Sequence, residues 1–504
     1  MTATPTSLRP DHLVPVSLAS LLPEAPELPI SGVSLDSRNI APGDLYVALP
    51  GASTHGARFA AQAVANGAVA VLTDAAGADI AAGLPAVVVV STNPRAEMAR
   101  LAAEVYRRPG DQLALLGVTG TTGKTSTTFL LAAGLAASGQ HVGTIGTLGF
   151  RLDAETLASS RTTVTTPEAP DLQALLAYLV ERGATAVAME VSSHALALSR
   201  TDELTFDVAG FTNLGRDHLD FHADQEDYFQ AKARLFRDGR ARSAVVNIDD
   251  EYGQRLAAEV STRGIKLVTT GRGSAADYRV VAADPLPGGG SRLQLATPSG
   301  PLEFDLGMLG DFNQRNAATA VAMLELAGVD LDAALPGLAN ANVPGRMQLV
   351  DLGGAAPSAV VDFAHTPESV AAALAALPPG RRLVVLGCGG DRDQAKREPM
   401  GAAAALGAAV VVVTDDNPRS EDPATIRASV LAGARRVALV SGATVIDGGN
   451  RGDAIGLALS MAGQGDWVAV LGKGHETGQQ LADRTVPFDD VTALAQEWAK
   501  LRRQ

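Results

Sequence analysis

Hydrophobic positions in this chain gather into short continuous runs more often than they alternate. The clearest lie at 45–49, 86–90, 113–118, 186–191, 206–211, 244–248, 359–361, 382–386, 409–413 and 467–471. Unbroken apolar runs of this length suit strands buried on both faces, as in parallel sheets covered by helices. Most are followed by alanine- and leucine-rich stretches of helical pattern, so the pattern predicts an α/β protein with doubly covered sheets. A helix is predicted over 168–181, with Thr166 as N-cap and Pro167 at the first helical position. A Gly/Ser-rich patch at 287–291 opens a more alternating region up to 309, read as a small antiparallel excursion. From 357 onward strands again alternate with helices, which predicts a second parallel sheet of dinucleotide-fold type. Three zones result: a small N-terminal α/β domain over 1–108, a central domain over 109–345 and a C-terminal Rossmann-like domain over 346–504. The first break is set at Arg107-Arg108-Pro109-Gly110-Asp111, because Pro and Gly together punctuate elements.

Composition narrows the partners. A length of 504 residues supports about three domains. With 55 acidic against 41 basic residues the net charge is −14, which argues against a sequence-independent grip on nucleic acid or anionic membrane. The lone cysteine, Cys388, rules out an internal disulfide and a cysteine-rich zinc site, and fits a reducing, cytoplasmic compartment. Pro15 and Pro23 interrupt the N-terminal apolar residues, so no signal segment is expected. The longest apolar stretch, 401–413, falls short of the ~20 residues a membrane span needs.

Chemistry enters at the run 113–118, which leads into Thr119-Gly120-Thr121-Thr122-Gly123-Lys124-Thr125-Ser126 and then an apolar helical stretch. Glycines there turn backbone N–H groups toward phosphate oxygens, Lys124 supplies charge to the outer phosphates, and the Thr125 hydroxyl can ligate Mg²⁺. Val118 stands where the strict form of the motif has glycine, so this is a variant loop. Three further groups follow in order. Glu190 closes the run 186–191, His218 follows the run 206–211 within Asn213-Leu214-Gly215-Arg216-Asp217-His218-Leu219-Asp220, and Lys232 lies in the helical stretch 228–236. Singly they read as a capping acid, a structural histidine and a surface lysine. Jointly, behind a phosphate loop, they read as a nucleotide site.

On these residues the chain resembles the Mur ligases, the ATP-dependent amide-forming enzymes of peptidoglycan precursor synthesis. Gly120 to Thr125, Met189 to Leu196 and Asn213 to Asp220 match family motifs. The likeness runs from Leu35-Asp36-Ser37-Arg38 to Gly472-Lys473-Gly474-His475-Glu476. Within the family it is nearest the members that add a diamino acid to UDP-N-acetylmuramoyl-L-alanyl-D-glutamate. The resemblance implies that 1–108 binds the UDP substrate, 109–345 ATP and 346–504 the amino acid. Leu35 and Ser37 would contact the uridine nucleotide, and Thr165, Thr166, Ser192 and Arg200 the muramoyl-peptide. Gly120, Thr121, Thr122, Gly123, Lys124, Thr125 and Ser126 would hold ATP, with Asn313, Asn316 and Arg346. Glu190, His218 and Thr125 would bind Mg²⁺ together with Lys232 carried as a carbamate. Lys124, Lys232, His218 and Glu190 form the implied catalytic set. Arg392, Asp416, Asn417, Pro418, Arg419, Gly472 and Glu476 would form the amino-acid pocket. Leu198 replaces the family's usual glutamine, Phe363 a tyrosine, and Gln348 an acid.

The implied reaction passes through an acyl phosphate on the D-glutamyl γ-carboxylate, attacked by the amine of meso-diaminopimelate or, alternatively, of L-lysine or L-ornithine. Its expected partners are these small molecules, with neither nucleic acid nor membrane, and the chain acting as a monomer. Two other readings remain open on sequence: a ligase adding glutamate to folate, and a nucleotide-dependent switch without chemistry of its own.

Overall fold

A computed structural model describes residues 8–51, 53–158, 164–287, 289–354 and 356–503. The chain divides into two compact units. One runs up to Val281 and includes Gln294–Leu302 and Arg315–Asn340; the other takes Ala282–Leu293, Glu303–Gln314 and the chain from Ala341 onward.

The first unit opens with a four-stranded parallel sheet in the order Gly32–Ser34, Asp44–Ala48, Ala70–Thr73, Val87–Val90. Strand side chains alternate between faces. Leu45 and Val47 therefore pack with Met98, Leu101 and Val105 of helix Pro94–Val105, while Tyr46 and Ala48 meet Ala57, Ala60 and Ala63 on the other side. Asn93 caps that helix through the Ala96 N–H, and Pro94 occupies its first turn.

The larger sheet of this unit has a parallel core in the order Val142–Gly146, Ala186–Glu190, Ala114–Thr119, Phe206–Phe211, Ala241–Asn247, Lys266–Gly271. Leu115, Val187 and Met189 face Leu172, Leu175 and Leu179 of helix Ala169–Glu181. Gly210 points the opposite way, where an added Cβ would lie 2.5 Å from Met323 Sδ. Helices thus cover both faces, and the runs are apolar throughout for that reason. Register sets Glu190 beside Val118 and Phe211 beside Thr119, so the loops after three strands emerge at one edge.

Two expectations need correction. Thr166 is not the N-cap of the following helix: the helix begins at Ala169, Glu168 is its N-cap and Pro170 lies in its first turn. The Thr166 hydroxyl is used elsewhere, donating to the Glu190 carbonyl at 2.9 Å. The alternating region expected after 287 begins earlier, with strands Tyr278–Pro285, Ser291–Thr297 and Gly300–Leu306; Gly288 lies outside the described residues.

The second unit holds a six-stranded sheet in the order Gln348–Val350, Ser358–Asp362, Trp467–Leu471, Arg382–Leu386, Val410–Thr414, Thr444–Gly449, parallel except for the first strand. Val360, Val384, Val411 and Trp467 pack on one face with Val370, Met400 and Val430, and Val361, Val385, Val412 and Val470 pack on the other with Ile455 and Leu494. Trp498 of helix Asp490–Leu501 lies against this second face. The apolar stretch 401–413 is split between helix Arg397–Gly407 and strand Val410–Thr414. No helix among the described residues is long and apolar enough to cross a membrane.

Candidate functional site

The loop after Ala114–Thr119 turns through Gly120 (φ +152°) and Gly123 (φ +84°) into helix Lys124–Ala137. Positive φ strains any residue with a Cβ. Space is lacking as well: a Cβ would fall 1.9 Å from Thr212 Oγ1 at position 120 and 2.4 Å from Asn316 Oδ1 at position 123. The neighbouring strand end holds the loop open. Thr121 N donates to the Asn213 carbonyl and Thr122 N to Asn213 Oδ1, both at 3.0 Å, while Thr212 Oγ1 donates to the Thr122 carbonyl at 2.6 Å. Lys124 Nζ folds over the loop onto the carbonyls of Gly120 (2.8 Å) and Thr121 (2.9 Å). Thr125 and Ser126 are buried in the first turn, where backbone N–H groups and the helix dipole favour an anion.

Glu190 is buried at the same sheet edge and accepts from Thr147 N at 2.8 Å and Thr147 Oγ1 at 3.2 Å. Lys232, on helix Gln225–Ala233, is 1% exposed and is not the surface residue that its sequence context alone suggests. Its Nζ donates to the Gly120 carbonyl at 2.7 Å and lies 4.4 Å from the centre of the Tyr228 ring. Burial, with the nearby Lys124 cation, pushes the Lys232 amine far below the ordinary lysine range. His218 adopts a left-handed backbone (φ +55°) and stacks edge-on to His194 at 4.9 Å. Burial also lowers its imidazole below the usual value. Sequence reasoning passed over the groups that hold this loop: buried His222 joins Ser193 Oγ (3.0 Å) and Asp227 (3.1 Å), and its backbone N–H donates to the His218 carbonyl at 3.0 Å.

Among the described residues, no cluster of three or more His, Cys, Asp or Glu side chains is arranged to hold a metal. A magnesium ion here would take chiefly hard oxygen donors, with His218 as a nitrogen donor. Glu190 and Thr125 supply two, and Lys232 fits the set only with its cationic amine converted to an anion. The lowered proton affinity of this buried amine suits it to that conversion.

Around the substrate-side residues the structure is polar and pinned. Thr165 Oγ1 is 3.2 Å from Thr147 Oγ1, and Thr166 Oγ1 lies 3.4 Å from Ser192 Oγ, the N-cap of helix Ser193–Ala197. Arg200 donates to Glu168 at 2.7 and 3.0 Å and to the Thr166 carbonyl at 3.0 Å. Arg95, not singled out from sequence, reaches Glu168 at 3.0 Å and the Leu198 carbonyl at 3.4 Å. Past the end of strand Gly32–Ser34, Leu35 packs against the core, and buried Ser37 donates to Gln62 Oε1 at 2.9 Å.

In the second unit, the loops after Arg382–Leu386, Val410–Thr414 and Trp467–Leu471 gather the expected amino-acid residues. Asp416 is buried, which raises its carboxyl against the pull of Arg451 and Lys473. Asn417 Nδ2 donates to Glu476 Oε2 at 2.7 Å. Gly472 (φ +113°) leaves room for Asp416, whose Oδ2 would lie 2.6 Å from a Cβ there. Arg419 (φ +52°) is fixed by Gln480 Oε1 at 2.9 Å and the Gly390 carbonyl at 2.7 Å, beside buried Pro418. Arg392 is exposed. Arg346 stacks on Phe363 at 4.6 Å. Asn313 is buried and donates to the Leu309 carbonyl at 2.8 Å. Beneath these loops lie two cations not expected from sequence. Arg451 forms a fully buried pair with Asp490 (2.7 Å), and Lys473 is fully buried.

Three family models match the chain in succession: "Mur ligase family, catalytic domain" over 29–118, "Mur ligase middle domain" over 118–324 and "Mur ligase, glutamate ligase domain" over 345–474. A UDP-N-acetylmuramoyl-L-alanyl-D-glutamate--2,6-diaminopimelate ligase of Streptomyces coelicolor is 48% identical over 474 residues, covering 92% of each chain. A protein of the same name from Streptomyces avermitilis is 46% identical, covering 96% of this chain and 97% of its own. A solved structure of a ligase with that name superposes with a TM-score of 0.72 at 31% identity, covering 97% of this chain and all of the other.

Proposed function

The chain belongs to the Mur ligase family, ATP-dependent ligases of peptidoglycan synthesis, and from that premise we propose that it joins meso-2,6-diaminopimelate to the D-glutamyl γ-carboxylate of UDP-N-acetylmuramoyl-L-alanyl-D-glutamate. The observation that carries the reading is the convergence of Lys124 and buried, amine-depressed Lys232 on the Gly120 carbonyl, at the sheet edge where buried Glu190 also ends its strand. The printed names of the relatives supply the substrates.

A free carboxylate expels oxide too poorly to form an amide, so the γ-phosphoryl of ATP is first moved onto it, giving an acyl phosphate and ADP. The amine then attacks, a tetrahedral intermediate forms, and phosphate leaves. Lys124 and the N–H groups of 120–126 place and neutralise the phosphates. Glu190, His218, Thr125 and a Lys232 carbamate would hold Mg²⁺, which would offset charge on the transferred phosphoryl. Asn313, Asn316 and Arg346 serve ATP; Leu35, Ser37, Thr165, Thr166, Ser192 and Arg200 serve the UDP substrate. Arg392, Asp416, Asn417, Pro418, Arg419, Gly472 and Glu476 form the amino-acid pocket. The division 1–108, 109–345 and 346–504 is supported by the three successive family matches. The enzyme acts as a cytoplasmic monomer on small molecules alone; its net charge of −14 disfavours nucleic acid and anionic membrane.

Selectivity for diaminopimelate requires reward for a second carboxylate, and a guanidinium grips one through parallel hydrogen bonds. Arg419 donates its Nε–H to Gln480 and one Nη1–H to the Gly390 carbonyl, which leaves its second Nη1–H and both Nη2–H groups for that role. Phosphate release measured with each diamino acid at equal concentration should favour meso-diaminopimelate over lysine or ornithine by ~100-fold, and Arg419→Ala should erase most of the preference. Equal turnover with lysine or ornithine, or an unchanged preference in the variant, overturns the assignment.

A further inference from the structure

We propose that Lys473 is the positioning residue of the amino-acid pocket, its buried ammonium fixing Asn417 and Glu476 in the arrangement that receives the ammonium end of the incoming amino acid. The inference rests on the pocket assignment above and names what holds that pocket in shape.

Lys473 follows strand Trp467–Leu471 and is 0% exposed. It sits between two glycines at positive φ, Gly472 (+113°) and Gly474 (+54°), and this backbone carries the lysine beneath the loop. An ammonium has three N–H donors, and each finds an acceptor: Asn417 Oδ1 at 3.2 Å, Glu476 Oε2 at 3.0 Å and the Gly478 carbonyl at 2.6 Å. With its donors consumed, Lys473 acts through its neighbours.

Its effect on Asn417 is directional. Oδ1 of that amide accepts from Lys473 and from Gln480 N at 2.9 Å, so a flipped amide would turn its own NH₂ toward two donors. The orientation is therefore fixed, and Nδ2 must point at Glu476 Oε2, 2.7 Å away. Glu476 Oε2 thus receives two donors, whereas Oε1 takes none among the described residues, and the side chain is 35% exposed. The Asp416 carboxylate likewise takes no hydrogen bond among them, and it is close enough to Glu476 for the two charges to repel. Two anionic groups with unused acceptors suit a cationic amino-acid terminus. Burial works against the Glu476 anion, but Lys473 and Asn417 more than offset it and hold its carboxyl below the usual range.

The test uses the full chain, with Lys473→Met, which keeps most of the side chain's apolar length without its charge, and Lys473→Arg, which keeps the charge. The expected result for Lys473→Met is a rise of ~10-fold or more in KM for meso-diaminopimelate, with KM for ATP and for the UDP-muramoyl-dipeptide within about twofold of wild type. The acid limb of kcat/KM for the amino acid should also move to higher pH, since Glu476 loses the cation that keeps it ionised. Lys473→Arg should recover part of the affinity. An unchanged amino-acid KM with an unmoved pH limb overturns the proposal, as does an equal rise in all three KM values. Failure of both variants to fold also overturns it, because Lys473 would then serve the fold at large. If the wild-type enzyme instead turns over another diamino acid, the pocket's assigned substrate falls, and Lys473 is judged on the KM of the one used.

Discussion

Lys232 shows how far a single side chain departs from its sequence context. Helical spacing alone makes it a surface lysine, yet it is buried, donates to Gly120 and loses proton affinity through burial and the nearby Lys124. Only a neutral amine captures CO₂, so the shift favours carbamate formation near pH 7, and acidification should reverse it. Lys232→Ala is expected to lower ligation by ~10³-fold, with partial recovery when a short carboxylic acid is added to the assay. Full activity of the variant without additive refutes the carbamate role; a ¹³C carbamate resonance in wild type that is absent from the variant supports it. The motif residues of the loop, Glu190 and the 416–419 turn could be read from the chain because their chemistry is local. Lys473, Arg451 and His222 could not, since burial and distant partners such as Asp490 and Ser193 give them their meaning. The glycines flanking Lys473 were the one available signal.

Strands were the most legible elements, because burial on both faces writes an unbroken apolar run: Phe206–Phe211, Arg382–Leu386 and Trp467–Leu471 coincide with their runs. Ends were less legible. Thr166 resembles an N-cap, but its hydroxyl ties the loop to the Glu190 strand, and the helix starts three residues later. The run 401–413 shows that apolar continuity does not tell a helix end from a strand. The turn from strand to helix at Gly123 gives a direct test. Gly123→Ala meets both an unfavourable φ of +84° and Asn316 Oδ1 at 2.4 Å, so it should cost about 1–3 kcal/mol. Chemical denaturation and the KM for ATP should both register it. A variant with unaltered stability and unaltered KM shows that the loop tolerates a Cβ there.

The second compact unit takes up the chain from Ala341. The same unit also takes Ala282–Leu293 and Glu303–Gln314, an assignment that depends on spatial neighbours and leaves no mark in local sequence. Each unit has its own apolar core, one led by Leu115, Val187 and Phe211, the other by Val360, Val384 and Val411. Arg451 and Asp490 are both fully buried in the second, and Arg451→Met strands the Asp490 carboxylate in a dry interior. The expected cost is about 3–5 kcal/mol, confined to the second unit. Urea unfolding should show a lower midpoint for that unit, with the midpoint of the first unit unchanged. Loss of both together shows that the two cores unfold as one. The optical means for such a measurement are already in the chain. Its two tryptophans, Trp467 and Trp498, pack on opposite faces of the second unit's sheet. Intrinsic indole emission is therefore a label-free channel for the second unit alone, in which melting of the first unit is spectroscopically dark.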